Sequence, residues 1–355
     1  MDKYRIDSHK LHFHVERVND WLAGRNIAPI YMEISPSGAC NHRCVFCALD
    51  FMAYRPSFLD THVVESCLAD LAGLGLKSVM FAGEGEPLLH KDIEQIACGA
   101  RRRGLDIAFT TNGVLLNEKR AEQLLPVCSW IKVSCNGGTP ETYNALHRGR
   151  PDDFHTVFKN LETAVKLRQL HRFPSTLGLQ MLLLPENRNE AVALAIRCRD
   201  IGLDYLTIKP YSQHPQSKTK IYEKIRYETL GLQKEELFSL ATDSFSIIYR
   251  EESMSVWDKG GRRYQQCLAL PFWSYLDAQG NIYGCSMHLN DDRFLYGNIY
   301  RQKFTDIWFG EKRRESLAWV ADHIDPQNCR VNCRMDKIND YLWSLTHPPE
   351  HVNFI

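Results

Sequence analysis

Ser35-Pro-Ser-Gly-Ala-Cys40-Asn-His-Arg-Cys44-Val-Phe-Cys47 decides how this chain is read. A cysteine thiolate is a soft ligand that suits iron. Three of them within eight residues can hold three irons of a [4Fe-4S] cube and leave the fourth iron open. Zinc is the alternative for such a run. Structural zinc, however, takes four ligands in paired Cys-x2-Cys groups, and no second pair lies near Cys47 in the sequence.

Outward from this run, residues 28–210 alternate short apolar runs with longer amphipathic stretches, the pattern of repeated βα units around a parallel sheet. Strands are expected at Ile30 to Ile34, Ser78 to Ala82, Asp106 to Thr110, Trp130 to Ser134, Leu177 to Leu184 and Tyr205 to Lys209. Helices are expected at Val63 to Gly73, Asp92 to Arg103, Glu118 to Leu125, Phe154 to His171 and Glu190 to Asp200, with Asn117 and Asn187 as N-terminal caps. Residues 1–27 form an extension ahead of this domain. Residues 211–262 read as a bridge, polar and turn-rich at first, with a helix over Gln233 to Leu240 and a strand over Phe245 to Arg250. In the tail, 346–355, Pro348 and Pro349 exclude a helix and predict an ordered strap.

Lys and Arg total 43 and Asp and Glu total 43 among 355 residues, so the net charge is zero with His neutral. No long-range field gathers nucleic acid or an anionic membrane, and neither is expected as a partner. The start, Met1-Asp-Lys-Tyr-Arg-Ile, lacks the apolar stretch of a secretory signal, and no run of about 18 apolar residues is present to span a bilayer. A cytoplasmic location is expected. In that reducing setting 12 cysteines point to metal binding more than to disulfides. Cys67, Cys98, Cys128 and Cys198 fall in helical or helix-adjacent apolar patterns and are expected in the core.

A second set of thiols lies in the C-terminal third. Tyr275-Leu-Asp-Ala-Gln-Gly280-Asn-Ile-Tyr-Gly-Cys285 reads as a β-hairpin, with Gly280 supplying the positive φ of a tight turn. Such a hairpin brings Cys267 and Cys285 to one end, and Cys329-Arg-Val-Asn-Cys333 is placed to close a four-thiolate site.

The first run, with Phe46 just before its third cysteine, resembles the radical S-adenosylmethionine (SAM) superfamily. The resemblance covers roughly residues 28 to 345 and implies an α/β fold: a partial (β/α)6 barrel with chemistry at the C-terminal ends of its strands. It implies a [4Fe-4S] cluster on Cys40, Cys44 and Cys47 whose open iron is chelated by SAM, and cleavage of SAM to a 5′-deoxyadenosyl radical. Gly83-Glu84-Gly85-Glu86-Pro87 resembles the family's Gly-Gly-Glu-Pro motif at the SAM amino group, with Glu84 where Gly is common. Thr110-Thr111-Asn112-Gly113 resembles its Thr-Asn-Gly turn. The run from Ser134 to Tyr143 resembles its Ser-x-Asp-Gly-x-Thr-Pro-Glu-x-Tyr stretch, with Asn136 in place of Asp, which makes Ser134 and Arg148 the expected partners of the SAM carboxylate.

Cys267-x12-Gly280-x4-Cys285, with Tyr296-Gly-Asn-Ile and Phe304-Thr-Asp-Ile-Trp308 downstream, resembles the SPASM and twitch domains that bind auxiliary iron–sulfur clusters. Its four cysteines match the shorter twitch form, over residues 263–345. One auxiliary [4Fe-4S] cluster on Cys267, Cys285, Cys329 and Cys333 is implied, the last pair spaced one residue wider than is usual.

A further resemblance, to twitch-containing dehydrogenases of aminocyclitol alcohols, implies oxidation of a small polyhydroxylated or sugar-like molecule. The auxiliary cluster would accept an electron, and an external donor such as flavodoxin or ferredoxin would supply the reducing one. Radical epimerisation is the alternative, with Cys135 as hydrogen donor, although strand alternation turns it away from the face of Ser134. Peptide modification is a further option, for which about 28 residues before the first strand are too few to form a recognition domain. From another class stands a non-catalytic iron–sulfur carrier or scaffold, which needs no SAM pocket. Lys209, at the end of the sixth strand, is expected to contact an anionic or hydroxylated substrate. Tyr211, His214 and His288 are placed to border a cavity between the clusters.

Overall fold

The structure, a computed structural model, describes residues 4–231 and 234–354. Residues 1–3 of the extension, Gln233 at the head of the bridge helix and Ile355 at the end of the tail lie outside the described residues. All six expected strands form, within two residues of their expected bounds: β1 (Tyr31–Ile34), β2 (Ser78–Phe81), β3 (Asp106–Thr111), β4 (Cys128–Ser134), β5 (Thr176–Leu182) and β6 (Tyr205–Lys209). The bridge strand is present as β7 (Ser246–Tyr249), and it pairs parallel with β6. The hairpin consists of β8 (Trp273–Leu276) and β9 (Asn281–Tyr283), followed by β10 (Leu295–Asn298).

All ten strands belong to one sheet, in the order β10-β9-β8-β1-β2-β3-β4-β5-β6-β7. From β8 to β7 every neighbour is parallel, because each crossover returns through a helix on the outer face. The pairing of β8 with β1, Tyr31 opposite Trp273, attaches the cysteine hairpin to the first strand of the barrel.

Alternation sorts the side chains of β4. Ile131, Val133 and Cys135 join the large core under the helices, whereas Trp130, Lys132 and Ser134 face the lumen. Met80, Ala82 and Ala108 form a separate lumen cluster against Tyr31 and Trp130. Tyr205 closes the lower lumen: its ring lies over Gly178, where a Cβ would sit 2.0 Å from it.

Asn117 caps its helix by accepting from the Arg120 N–H. Asn187 does not cap. Its buried amide donates to the carbonyls of Asn136 and Leu182 and accepts from the Leu184 N–H, so it braces the loops after β4 and β5 instead. The helix Pro140–His147 was not among those expected, although Thr139 as cap and Pro140 at the first position are its start signal. Past Thr346 the chain is non-helical as expected, but its residues are exposed and form no strap against the body. No helix of the described residues is long and apolar enough to cross a membrane.

Candidate active site and cluster sites

The cysteine run leaves the end of β1 as a loop held by its own backbone and by the C-terminus of the helix Pro140–His147. Arg43 and Val45 donate N–H groups to the carbonyls of His147 and Leu146, at 3.1 and 2.9 Å. The His42 N–H points at Cys40 Sγ, 3.4 Å away, and the Tyr54 hydroxyl and Leu49 N–H reach Cys47. Burial pushes the Cys40 thiol up to about 12 and that of Cys44 well above the usual range. Half-buried thiols ringed by donors are what a cationic iron core needs, because the core deprotonates them and the donors then stabilise the sulfur charge.

Gly83-Glu84-Gly85-Glu86-Pro87, after β2, packs directly on this loop. A Cβ on Gly85 would lie 2.1 Å from the Ala39 carbonyl oxygen and 2.5 Å from that of Ser37, and one on Gly83 would meet Ser35 at 2.4 Å. The Glu86 N–H donates to Ala39 O at 2.8 Å. The buried Glu86 carboxylate accepts from Thr111 Oγ1 at 2.5 Å, from the Asn112 N–H at 2.8 Å and from the Leu88 N–H at 3.0 Å. Asn112 Nδ2 in turn donates to Asn41 Oδ1 at 2.7 Å. Glu84 looks the other way. Its Oε1 accepts from the Ala278 N–H at the hairpin turn, and burial, with Asp277 beside it, pushes its carboxyl up to about 8. Motif loop, Thr-Asn-Gly turn, cysteine loop and hairpin are thus one hydrogen-bonded unit. Because the Gly85 contact is with backbone, which cannot swing aside, Gly85→Ala is expected to destabilise the protein by about 1–3 kcal/mol. A lowered denaturation midpoint, with reduced iron after reconstitution, is the readout.

His147 was missed in the sequence. It is buried, its ring stacks 4.1 Å from Tyr143, and its Nε2 accepts from the Asn136 N–H at 2.9 Å. That bond leaves the proton on Nδ1, which lies 3.7 Å from Cys44 Sγ, so the imidazole is a donor to the sulfur and not a metal ligand. Burial holds His147 well below its usual range, hence neutral. His42 is fixed by Asp153, 2.9 Å away. Among the described residues, His42, Cys44 and His147 are the only such group whose ligand atoms all lie within 4.8 Å, so the three motif sulfurs are spread more widely. Tetrahedral zinc, with Zn–S of about 2.3 Å, would draw sulfurs to within about 4 Å of one another.

Of the remaining predicted residues, Phe46 lies edge-on to His147 at 5.2 Å, and Ser134 ends β4 on the lumen face. Arg148 is exposed in left-handed conformation immediately after His147, with Tyr222 within its electrostatic reach. Lys209 ends β6, also toward the lumen. Cys135 lies on the opposite face, fully buried in the outer core, with its thiol donating to Gly137 O at 3.3 Å. Tyr211 and His214 are buried in the loop that covers the cysteine run, where the His214 ring is 4.7 Å from Phe51. Of the four cysteines expected in the core, Cys67, Cys128 and Cys198 are buried, whereas Cys98 is half-exposed.

Cys267, Cys285, Cys329 and Cys333 line one cavity, with Trp273, His288 and Asn339 also in its wall. Gly280 takes φ +85° at the hairpin turn, and Asn332 takes φ +59° inside the wider final pair, which lets three intervening residues curl tightly enough for both sulfurs to face the cavity. Donors again point at sulfur: Met287 N–H at Cys285, Met335 N–H at Cys333, both 3.4 Å, Asn339 Nδ2 at Cys267, 3.9 Å, and the Arg330 N–H at Cys329. This donor set fits an auxiliary iron–sulfur cluster.

Comparison with known proteins agrees with this arrangement. Residues 34–196 match the radical SAM superfamily, and residues 267–334 match the SPASM iron–sulfur cluster-binding domain. Residues 34–196 are therefore a radical SAM domain and residues 267–334 a SPASM domain, the pair built for SAM and iron–sulfur clusters. The chain is 28% identical over 189 residues to a GTP 3′,8-cyclase of Chlorobaculum tepidum, covering 52% of this chain and 55% of that protein. It is 24% identical over 321 residues to an AdoMet-dependent heme synthase of Methanosarcina barkeri, covering 86% and 88%. The chain thus spans about half the length of the first of these relatives and most of the second. In fold it is similar to Streptococcus suis SuiB, with TM-score 0.65 and 18% identity over 84% of this chain and 70% of that one.

Proposed function

We propose that this radical SAM enzyme is an oxidoreductase that removes a hydrogen atom from the hydroxyl-bearing carbon of a small metabolite, the hydroxyl proton leaving to solvent and the remaining electron to the auxiliary site, for net dehydrogenation. When bound, the SAM-ligated cluster supplies the 5′-deoxyadenosyl radical that takes the hydrogen atom, and the auxiliary cluster supplies the electron acceptor. The observation that carries the reading is the four-cysteine cavity joined to the barrel through β1 and β8.

The chain's own residues hold this geometry. Glu84 and Ser35 tie the motif loop to the hairpin, and Glu86 and Asn112 lock the cysteine loop against β3. Arg330, which follows Cys329, donates to Ser212 Oγ at 2.5 Å and to Ser212 O at 3.1 Å, so the auxiliary loop covers the end of β6 and screens the lumen from water. Tyr211 and His214, buried beneath that loop, belong to the wall between the two sets of cysteines in this reading. The placement of Cys135 on the helix side speaks against epimerisation through that thiol. The relatives are named for quite different reactions, a GTP cyclisation and a haem synthesis, so the reaction itself has to be tested.

The test is anaerobic. Reconstituted, dithionite-reduced protein with SAM is expected to form 5′-deoxyadenosine in response to a fractionated metabolite pool, together with a product lighter by two hydrogens. A product of unchanged mass carrying solvent deuterium would replace dehydrogenation by epimerisation. No deoxyadenosine from fully loaded protein would leave a non-catalytic carrier.

A further inference from the structure

Two lysines in the lumen form no ion pair among the described residues. Lys132 of β4 and Lys209 of β6 both lie on the inner face of the sheet, with β5 between them. Lys132 Nζ lies 5.5 Å from the centroid of the Trp130 ring. Among the described residues, the charged groups near Lys209 are Lys132, Arg250 and Arg330, and Lys132 has Arg250 near it besides Lys209. All are cations. Arg250 is met by Asp7 at 2.8 Å, and Arg330 is committed to Ser212 and turned toward Cys285, Cys329 and Cys333. Neither lysine has an ion-pair or side-chain hydrogen-bond partner among the described residues. The excess is local, since the chain as a whole is neutral.

Concentrating like charges away from bulk water is costly unless an anion joins them. Burial brings Lys132 down to about 8, and burial with the neighbouring cations holds Lys209 well below the usual lysine range. An ammonium is a compact point charge suited to phosphate and carboxylate oxygens. The SAM carboxylate expected at Ser134, in the row between those of Lys132 and Lys209, brings one negative charge to two lysines.

We propose that the lumen binds a substrate carrying a dianionic group, a phosphate monoester or a pair of carboxylates, gripped by Lys132 and Lys209. This rests on the reading of the barrel as a catalytic radical SAM site. It adds to the hydroxyl group that is oxidised a second, anionic handle that places it.

The test divides a cell metabolite extract on an anion-exchange column at neutral pH and offers the flow-through and the salt-eluted pool separately to the reduced holoprotein with SAM. Stimulation of deoxyadenosine formation is expected from the salt-eluted pool. Alkaline phosphatase should abolish it for a phosphate ester and leave it for carboxylates. Stimulation from the flow-through alone would overturn the proposal. A response to neither pool would remove the catalytic reading and this inference with it, and that pattern differs visibly from the previous one. Lys132→Gln and Lys209→Gln are each expected to raise the amount of active pool needed for half-maximal stimulation by about tenfold or more, the loss of a charge-assisted contact. Iron content and cluster absorption check that each variant is folded. A shift in the half-saturating SAM concentration, with the pool unaffected, would hand the lysines to SAM and overturn the assignment.

Discussion

Cys44→Ala is expected to reduce 5′-deoxyadenosine formation to background, with and without substrate. Cys44 is the middle ligand of the loop, half-buried, with Cys40 and Cys47 as its nearest thiols and the His147 Nδ1–H aimed at its sulfur. Without it only two thiols of the run remain, too few to present a three-cysteine face to an iron core. The loop backbone itself should persist, since Arg43 and Val45 are hydrogen-bonded to the helix Pro140–His147 independently of the thiol. Iron analysis, the low-temperature spin signal of the reduced protein and deoxyadenosine quantification together make the measurement. Cys67→Ala, on the buried face of the helix Thr61–Gly73, removes an unrelated buried thiol and serves as the control. Deoxyadenosine persisting in Cys44→Ala would sink the radical reading.

The second large effect is a split between two activities. Cys285→Ala should cost product formation far more than SAM cleavage, because Cys285 lines the auxiliary cavity and not the loop around Cys44. The hairpin carries a risk, since β8 is hydrogen-bonded to β1 and damage there would reach the barrel. Cys333→Ala avoids it. Cys333 lies in a turn ahead of the helix Asp336–Thr346, outside the sheet. If both variants lose about half of their iron and keep deoxyadenosine while losing product, the auxiliary site is the electron acceptor. Equal loss of both activities in Cys333→Ala would mean that the second site only supports the fold.

The barrel strands were legible because parallel strands buried on both faces read as short apolar runs, and the helices between them carry their own periodicity. The cysteines were legible because ligand spacing in a loop is a local property. Asn187 misled for the opposite reason. An Asn three residues before a helix looks like a cap, but the carbonyls of Asn136 and Leu182 reach it only once β4 and β5 are side by side. Arg330 shows the same limit, since Ser212 is 118 residues away in sequence.

By itself, then, the sequence determined the parallel α/β barrel, the three-cysteine loop and the hairpin between Cys267 and Cys285, because periodicity, ligand spacing and turn chemistry act over a few residues. Tertiary structure alone decided that the hairpin pairs with β1, that Cys135 faces the helices, that His147 backs Cys44, and that Lys132 and Lys209 share a lumen. Those facts depend on strand order and register, which bring together side chains from distant parts of the chain, and no local pattern encodes which of them meet.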